Sequence, residues 1–174
     1  MNSNRTVTAA LLAATALMAW PTPASAMQAN DFGPPTTERE RGIVLECTGE
    51  ADGLAVYASL YENDKYVNVL QVVLGEDGNG KSKQVERNFL VDGKVRARIT
   101  IDGAKAKIRG TAELVGKKTP VHEEHDDAGY LITVDGTHRR LATDLVLTYD
   151  GARVPLTCDP GFRYDLMVTK EQIA

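Results

Sequence analysis

Tryptophan and long hydrophobic runs are scarce in this chain. The only tryptophan, Trp20, lies within the first 26 residues, which are predicted below to be a leader, so the rest of the chain cannot build a recognition surface on stacked indole rings. No apolar run reaches the roughly 20 residues that a membrane-spanning helix needs. No segment shows a sustained helical period of apolar residues either. The sequence therefore predicts neither a transmembrane helix nor a helical domain.

Motifs for catalysis and for phosphate binding are also missing. Serine is scarce beyond the leader, and neither Ser59 nor Ser82 lies in a nucleophile elbow. The glycine-rich segment 75–80 precedes no helix and lacks the spacing of a phosphate-binding loop. His138 stands beside two arginines, which is typical of a surface residue rather than a general base. We therefore predict a protein that is not an enzyme and needs no cofactor.

The balance of charge disfavours nucleic acid as a partner. The chain has a formal net charge of −4 at pH 7. Arg5 is the only charged side chain of the leader, so the remainder is slightly more negative. General binding to nucleic acid needs a positive field, and we expect no such partner.

The first 26 residues have the organisation of a secretory signal peptide. Arg5 precedes the apolar run 9–20, and the segment closes on the small residues Ala24-Ser25-Ala26. The run is too short to span a bilayer. We predict cleavage after Ala26 and a secreted, extracytoplasmic protein without a transmembrane anchor. An uncleaved anchor is the alternative.

The remaining chain divides into an arm, one domain and a tail. Residues 27–40 are polar and contain a proline pair, so they are predicted to form a disordered arm. Residues 41–168 are predicted to form a single β-domain, and residues 169–174 a fraying tail. Cys47 and Cys158, the only cysteines, lie in the first and last strands expected for the domain. In an exported chain they predict one disulfide, with free thiols or a metal pair as alternatives.

The fold class follows from period-two alternation between Asp-Gly pairs. Six such pairs separate segments in which polar and apolar residues alternate, a pattern typical of β-hairpins. We predict an all-β fold, an antiparallel meander of about eight or nine strands. A disulfide between its first and last strands requires Cα atoms within about 7 Å, which a closed sheet provides. A small β-barrel and a β-sandwich both satisfy this condition.

This layout resembles that of small exported β-barrels, such as the calycins and the bacterial periplasmic lysozyme inhibitors. The resemblance concerns the arrangement of strands and implies a barrel. The Gly-x-Trp signature of lipocalins is absent, because Trp20 belongs to the leader. A shared layout does not transfer a function.

The central hairpin, residues 94–114, carries one candidate binding surface. A two-residue turn at Asp102-Gly103 would place cations of the two strands opposite each other on the outer face. We call this set the basic strip: Lys94, Arg96, Arg98, Lys105, Lys107 and Arg109. Like charges directly opposite cost up to about 1 kcal/mol per pair, so an anionic partner would offset a real penalty. The alternative is a solvated face that Glu86 and Glu113 screen and that prevents edge aggregation.

The charged segment 116–127, predicted to be a long loop, carries the other candidate. Imidazoles and carboxylates follow one another closely there and could ligate zinc or another divalent ion. The candidate ligands are His122, Glu123, Glu124, His125 and Asp126. Their spacing differs from the helical His-Glu-x-x-His of metalloproteases. The alternative is a solvated acidic loop without metal.

These observations predict an exported, non-catalytic binding domain. Its partner would be an extracellular protein or an anionic envelope polymer, bound through the basic strip. One alternative is a carrier that holds a small hydrophobic ligand in the barrel interior. Another is a divalent-metal-binding protein that uses residues 122–127, or a metal-dependent enzyme if the two histidines meet a third ligand.

Overall fold

Ten antiparallel strands account for nearly all of the chain that the structure, a computed structural model, describes: residues 34–75 and 78–173. The strands are β1 (Thr36–Ala51), β2 (Leu54–Asn63), β3 (Asn68–Leu74), β4 (Asn79–Val85), β5 (Leu90–Val91), β6 (Lys94–Ile101), β7 (Ala104–Leu114), β8 (Thr119–Asp127), β9 (Tyr130–Tyr149) and β10 (Ala152–Gln172). The predicted signal peptide lies outside the described residues. Within the described ranges, no helix is long and apolar enough to cross a membrane.

The strands form one sheet that curls into a half-barrel, which confirms the predicted all-β antiparallel fold. Their order is β4-β3-β2-β1-β10-β9-β7-β6-β5, and β8 pairs with β9. Alternate side chains of each long strand point to the concave side and pack into one core, where Leu45, Leu60 and Leu147 are fully buried. Across the opening, the Asn79 side-chain amide of β4 donates to Asp102 at the β6–β7 turn.

A disulfide joins the first and last strands, as predicted. β1 pairs with β10 along most of its length, and Cys47 lies directly opposite Cys158 in this ladder. The two sulfurs are bonded, across a sequence separation of 111 residues. Such a bond is consistent with a compartment outside the reducing cytoplasm.

Asp-Gly pairs form four of the tight turns between consecutive strands. Both residues have positive φ in the pairs that begin at Asp52, Asp92, Asp102 and Asp150, as type I′ hairpin turns require. The predicted turn at Asp135-Gly136 is wrong, because this pair lies inside β9. There β8 pairs with one edge of β9 and β10 with the other, so the strand continues through the pair.

Four strands extend beyond the half-barrel as a ribbon, and this corrects three predicted boundaries. The ribbon consists of β8, residues 130–140 of β9, residues 161–172 of β10 and residues 36–41 of β1. The predicted loop 116–127 is therefore a strand over most of its length. Residues 36–40 of the predicted arm are also a strand, and β10 passes the predicted domain end at 168.

Pairing partners explain these corrections. The polar start of β1 is ordered because its backbone pairs with β10. Arg39 adds a two-pronged ion pair with Asp165, whose N–O distances are 2.7 and 2.6 Å. Charge-assisted, bidentate pairs of this kind are among the stronger polar contacts. Composition reports none of this, since the partner strand lies more than 120 residues away.

Candidate functional site

The basic strip has the geometry that the sequence predicts. Across the ladder between β6 and β7, Arg96 lies opposite Arg109 and Arg98 opposite Lys107. All six cations of the strip are exposed on the convex face, while the alternate side chains of both strands, such as Ile99 and Ile108, are buried. The half-barrel core thus fixes the direction in which the six charges point.

The strip forms no close ion pair with the carboxylates of the described residues. Among the described residues, no carboxylate oxygen lies within 4 Å of a strip nitrogen. Glu86, expected to screen the strip, follows the end of β4 and is not part of the hairpin ladder. Glu113 lies farther along β7, opposite Ala142.

Arg153 extends the strip by one cation, which the sequence analysis missed. Lys107 lies opposite Thr148 on β9, and Thr148 lies opposite Arg153 on β10. Arg98 on β6 begins this row of four cross-strand neighbours. The signal was present in the sequence, because Arg153 precedes the inward-facing Val154. Assigning it to the strip required knowing that β10 lies beside β9.

Only two of the proposed metal ligands come near each other among the described residues: Nε2 of His122 lies 4.0 Å from Oε1 of Glu124. Side chains alternate along β8, so His122 and Glu124 lie on one face and His125 on the other. Nδ1 of His122 lies 2.7 Å from Asp135, and this hydrogen bond raises the pKa of the imidazole. Among residues 34–75 and 78–173, no three His, Cys, Asp or Glu side chains are grouped so that they could hold a metal ion.

A cavity of about 460 Å³ opens where the half-barrel core gives way to the ribbon. We call it the end cavity. One row of cross-strand neighbours runs along it, from Glu62 on β2 through Ile43 on β1 to Arg163 on β10 and Arg139 on β9. Arg163 and Arg139 are therefore directly opposite each other and of like charge.

Glu62 is a buried carboxylic acid that lines the end cavity. The residue is 7% exposed, and its Oε1 accepts a hydrogen bond of 2.5 Å from the backbone N–H of Leu90. Burial raises the pKa of this carboxyl, and the hydrogen bonds from Leu90 and Phe89 and the charge of Arg163 oppose that shift. The group is thus closer to its neutral form than a solvated glutamate would be.

The sequence analysis did not identify the end cavity. One signal was available: Arg139 shares the strand parity of the buried residues Leu141 and Leu145, and a charge on an inward position marks the edge of a core. The counterpart, Arg163, could not be assigned, because β10 changes register between Leu156 and Phe162.

Comparisons of the chain with protein-family models, with curated proteins and with solved structures find no match.

Proposed function

We propose that this protein is an exported, non-catalytic binding domain that recognises an anionic polymer of the cell envelope, or an acidic protein surface, through the basic strip. The observation that carries the proposal is the pairing of Arg96 with Arg109 and of Arg98 with Lys107 on an exposed ladder. Each opposed pair carries a cost of up to about 1 kcal/mol that a partner of opposite charge would remove.

The spacing of the strip favours a repeating anion. Side chains two residues apart on one face of a strand repeat about every 6.6–6.8 Å, and neighbouring strands lie about 4.8 Å apart. The strip and Arg153 therefore form a two-dimensional grid of positive charge on a rigid sheet. A polymer with regularly spaced phosphates, sulfates or carboxylates can contact several of these cations at once.

Export is supported by two independent features. The first 26 residues have the pattern of a signal peptide. The disulfide between Cys47 and Cys158 favours an oxidising compartment. An envelope polymer is a partner that a protein would meet there.

The packing of the interior disfavours the alternative of a carrier that uses the barrel lumen. Buried side chains from nearly all the strands fill the concave face, with Leu45, Val72 and Ile108 among the most buried. A ligand in that space would have to displace the core.

Binding of polyphosphate and of neutral dextran to the purified protein tests the proposal. At about 50 mM salt, where surface charges are weakly screened, we expect polyphosphate to bind and dextran not to bind. The double reversal Arg96→Glu with Arg98→Glu should weaken the affinity by about tenfold or more, a change of at least about 1.4 kcal/mol.

The matched control reverses two cations outside the strip. Lys81 and Lys83 lie on β4, also two residues apart and exposed. Lys81→Glu with Lys83→Glu makes the same change in net charge and should leave the affinity nearly unchanged. Equal losses in the two double variants would mean that net charge, and not the strip, attracts the polymer. Absence of polyphosphate binding by the parent protein would refute the proposal directly.

A further inference from the structure

The end cavity combines an apolar wall with a cationic wall. Ile43 and Leu90 are buried beside it, and Leu114, at the end of β7, is 37% exposed at the same cavity. Arg163 on β10 is the cross-strand neighbour of Ile43, Arg139 on β9 is the neighbour of Arg163, and Lys118 lines the same cavity from the connection between β7 and β8. Such a mixture is typical of a site for a small molecule with one charged end.

The acidic groups of the end cavity already have partners. Asp165 is paired with Arg39 at 2.6 Å and lies 3.7 Å from Arg41. Asp64 accepts a hydrogen bond of 2.8 Å from the backbone N–H of Arg41. Glu62, as described, is buried and accepts the N–H of Leu90.

Three cations that line the end cavity lack carboxylate partners among the described residues. Within the described part of the chain, no carboxylate oxygen lies within 4 Å of the side-chain nitrogens of Arg139, Arg163 or Lys118. Arg139 is held in place, because its Nε donates to the Gly116 carbonyl at 3.0 Å. Two guanidinium groups directly opposite each other can both donate hydrogen bonds to one anionic group between them, and that group would offset their mutual repulsion.

We propose that the end cavity binds a small amphipathic anion, whose acidic head lies between Arg139 and Arg163 and whose apolar body contacts Leu90 and Leu114. A cavity of about 460 Å³ is within the usual size of small-molecule sites and suits a short single-chain carboxylate. This site is separate from the basic strip, because Arg139 and Arg163 face the cavity whereas the strip faces away from the core. The inference therefore goes beyond the proposed function.

An NMR titration of the purified protein with octanoate, acetate and 1-octanol tests this proposal. Octanoate has both the acidic head and the apolar body. Acetate has only the acidic head, and 1-octanol has the apolar body without the acidic head. We expect octanoate to bind most tightly and to shift the backbone amides of residues 41–43, 62–64 and 163–165. Acetate and 1-octanol should each bind at least about tenfold more weakly, since each loses one class of contact.

Arg163→Met removes the charge and keeps much of the apolar bulk of the side chain. This variant should weaken the affinity for octanoate by about tenfold or more, because a charge-assisted contact is lost. Arg153→Met, on the same strand but on the convex face, makes the same chemical change and should leave octanoate binding intact. A second cavity variant, Leu114→Ser, should also weaken the affinity for octanoate, because it removes an apolar side chain that lines the cavity.

Three results would overturn the proposal: no saturable octanoate binding to the parent protein, equal effects of Arg163→Met and Arg153→Met, or equal affinity for 1-octanol. Polyphosphate binding separates this site from the strip. Arg163→Met should bind polyphosphate like the parent protein, while the strip reversal at Arg96 and Arg98 should bind octanoate like the parent protein.

Discussion

The hydroxyl of Tyr164 donates a hydrogen bond of 2.8 Å to the backbone carbonyl of Glu62, and so connects β10 to β2 across β1. Gly42 of β1 lies opposite Tyr164 in one ladder and opposite Asn63 in the other. A Cβ at Gly42 would overlap the Glu62 carbonyl oxygen and lie 2.5 Å from the Tyr164 hydroxyl. The absence of a side chain at Gly42 is therefore what allows three strands to be joined at the edge of the end cavity.

Two substitutions at this junction should lower the free energy of unfolding by different amounts. Gly42→Ala places a methyl group where backbone atoms already lie, and we expect a loss of about 1–3 kcal/mol or more. Tyr164→Phe removes only the hydrogen bond and should cost about 1 kcal/mol. Urea unfolding measures both changes. If Gly42→Ala were as stable as the parent protein, the close approach of the Glu62 carbonyl and the Tyr164 hydroxyl to Gly42 would be wrong.

The disulfide should contribute a large part of the stability. A loop of 111 residues corresponds to about 4–5 kcal/mol of unfolded-state entropy by chain statistics, which is an upper figure. The double variant Cys47→Ala with Cys158→Ala should have a much lower midpoint of urea unfolding than the parent protein. Dithiothreitol should lower the midpoint of the parent protein and leave that of the double variant unchanged. A midpoint of the parent protein that dithiothreitol leaves unchanged would contradict this role.

Glu62 should give the stability a characteristic dependence on pH. Burial raises its folded pKa above the ordinary value near 4.3, so the folded protein keeps this proton when the unfolded chain has lost it. The contribution of Glu62 to the free energy of unfolding should therefore fall as the pH rises from about 4.3 to the raised pKa, and that contribution should stay constant above it.

Glu62→Gln isolates that contribution, because the amide oxygen can still accept the Leu90 N–H. The stability of the parent protein, measured relative to this variant by urea unfolding, should decrease between the two pKa values. A difference that stayed flat, or that increased with pH, would show that the carboxyl is not buried as described.

The sequence predicts this fold best where the controlling interactions are local. An Asp-Gly pair sets its own hairpin turn, and the register at Asp102-Gly103 places Arg98 opposite Lys107 without any distant partner. Asp135-Gly136 has the same composition and makes no turn, because β8 and β10 pair with both edges of the strand there. The difference is a matter of distant pairing, which alternation within one segment does not report.

The ribbon and the end cavity were missed for related reasons. β8 exposes nearly all of its side chains, so no alternation of apolar residues marks it as a strand. Its turn uses Ala128 and Gly129, both at positive φ, and alanine is uncommon at such a position. The pairing of Arg139 with Arg163 depends in turn on the register of β10, which shifts after Leu156.

Lysine footprinting with and without polyphosphate tests the central claim most directly. Mass spectrometry after acetylation measures the reactivity of each lysine, so one experiment compares the strip with a control. Lys94, Lys105 and Lys107 belong to the strip, and Lys81 and Lys83 on β4 are the control. We expect polyphosphate to protect the three strip lysines and to leave the two β4 lysines reactive. Equal protection of both sets, or protection of the β4 lysines alone, would contradict that claim.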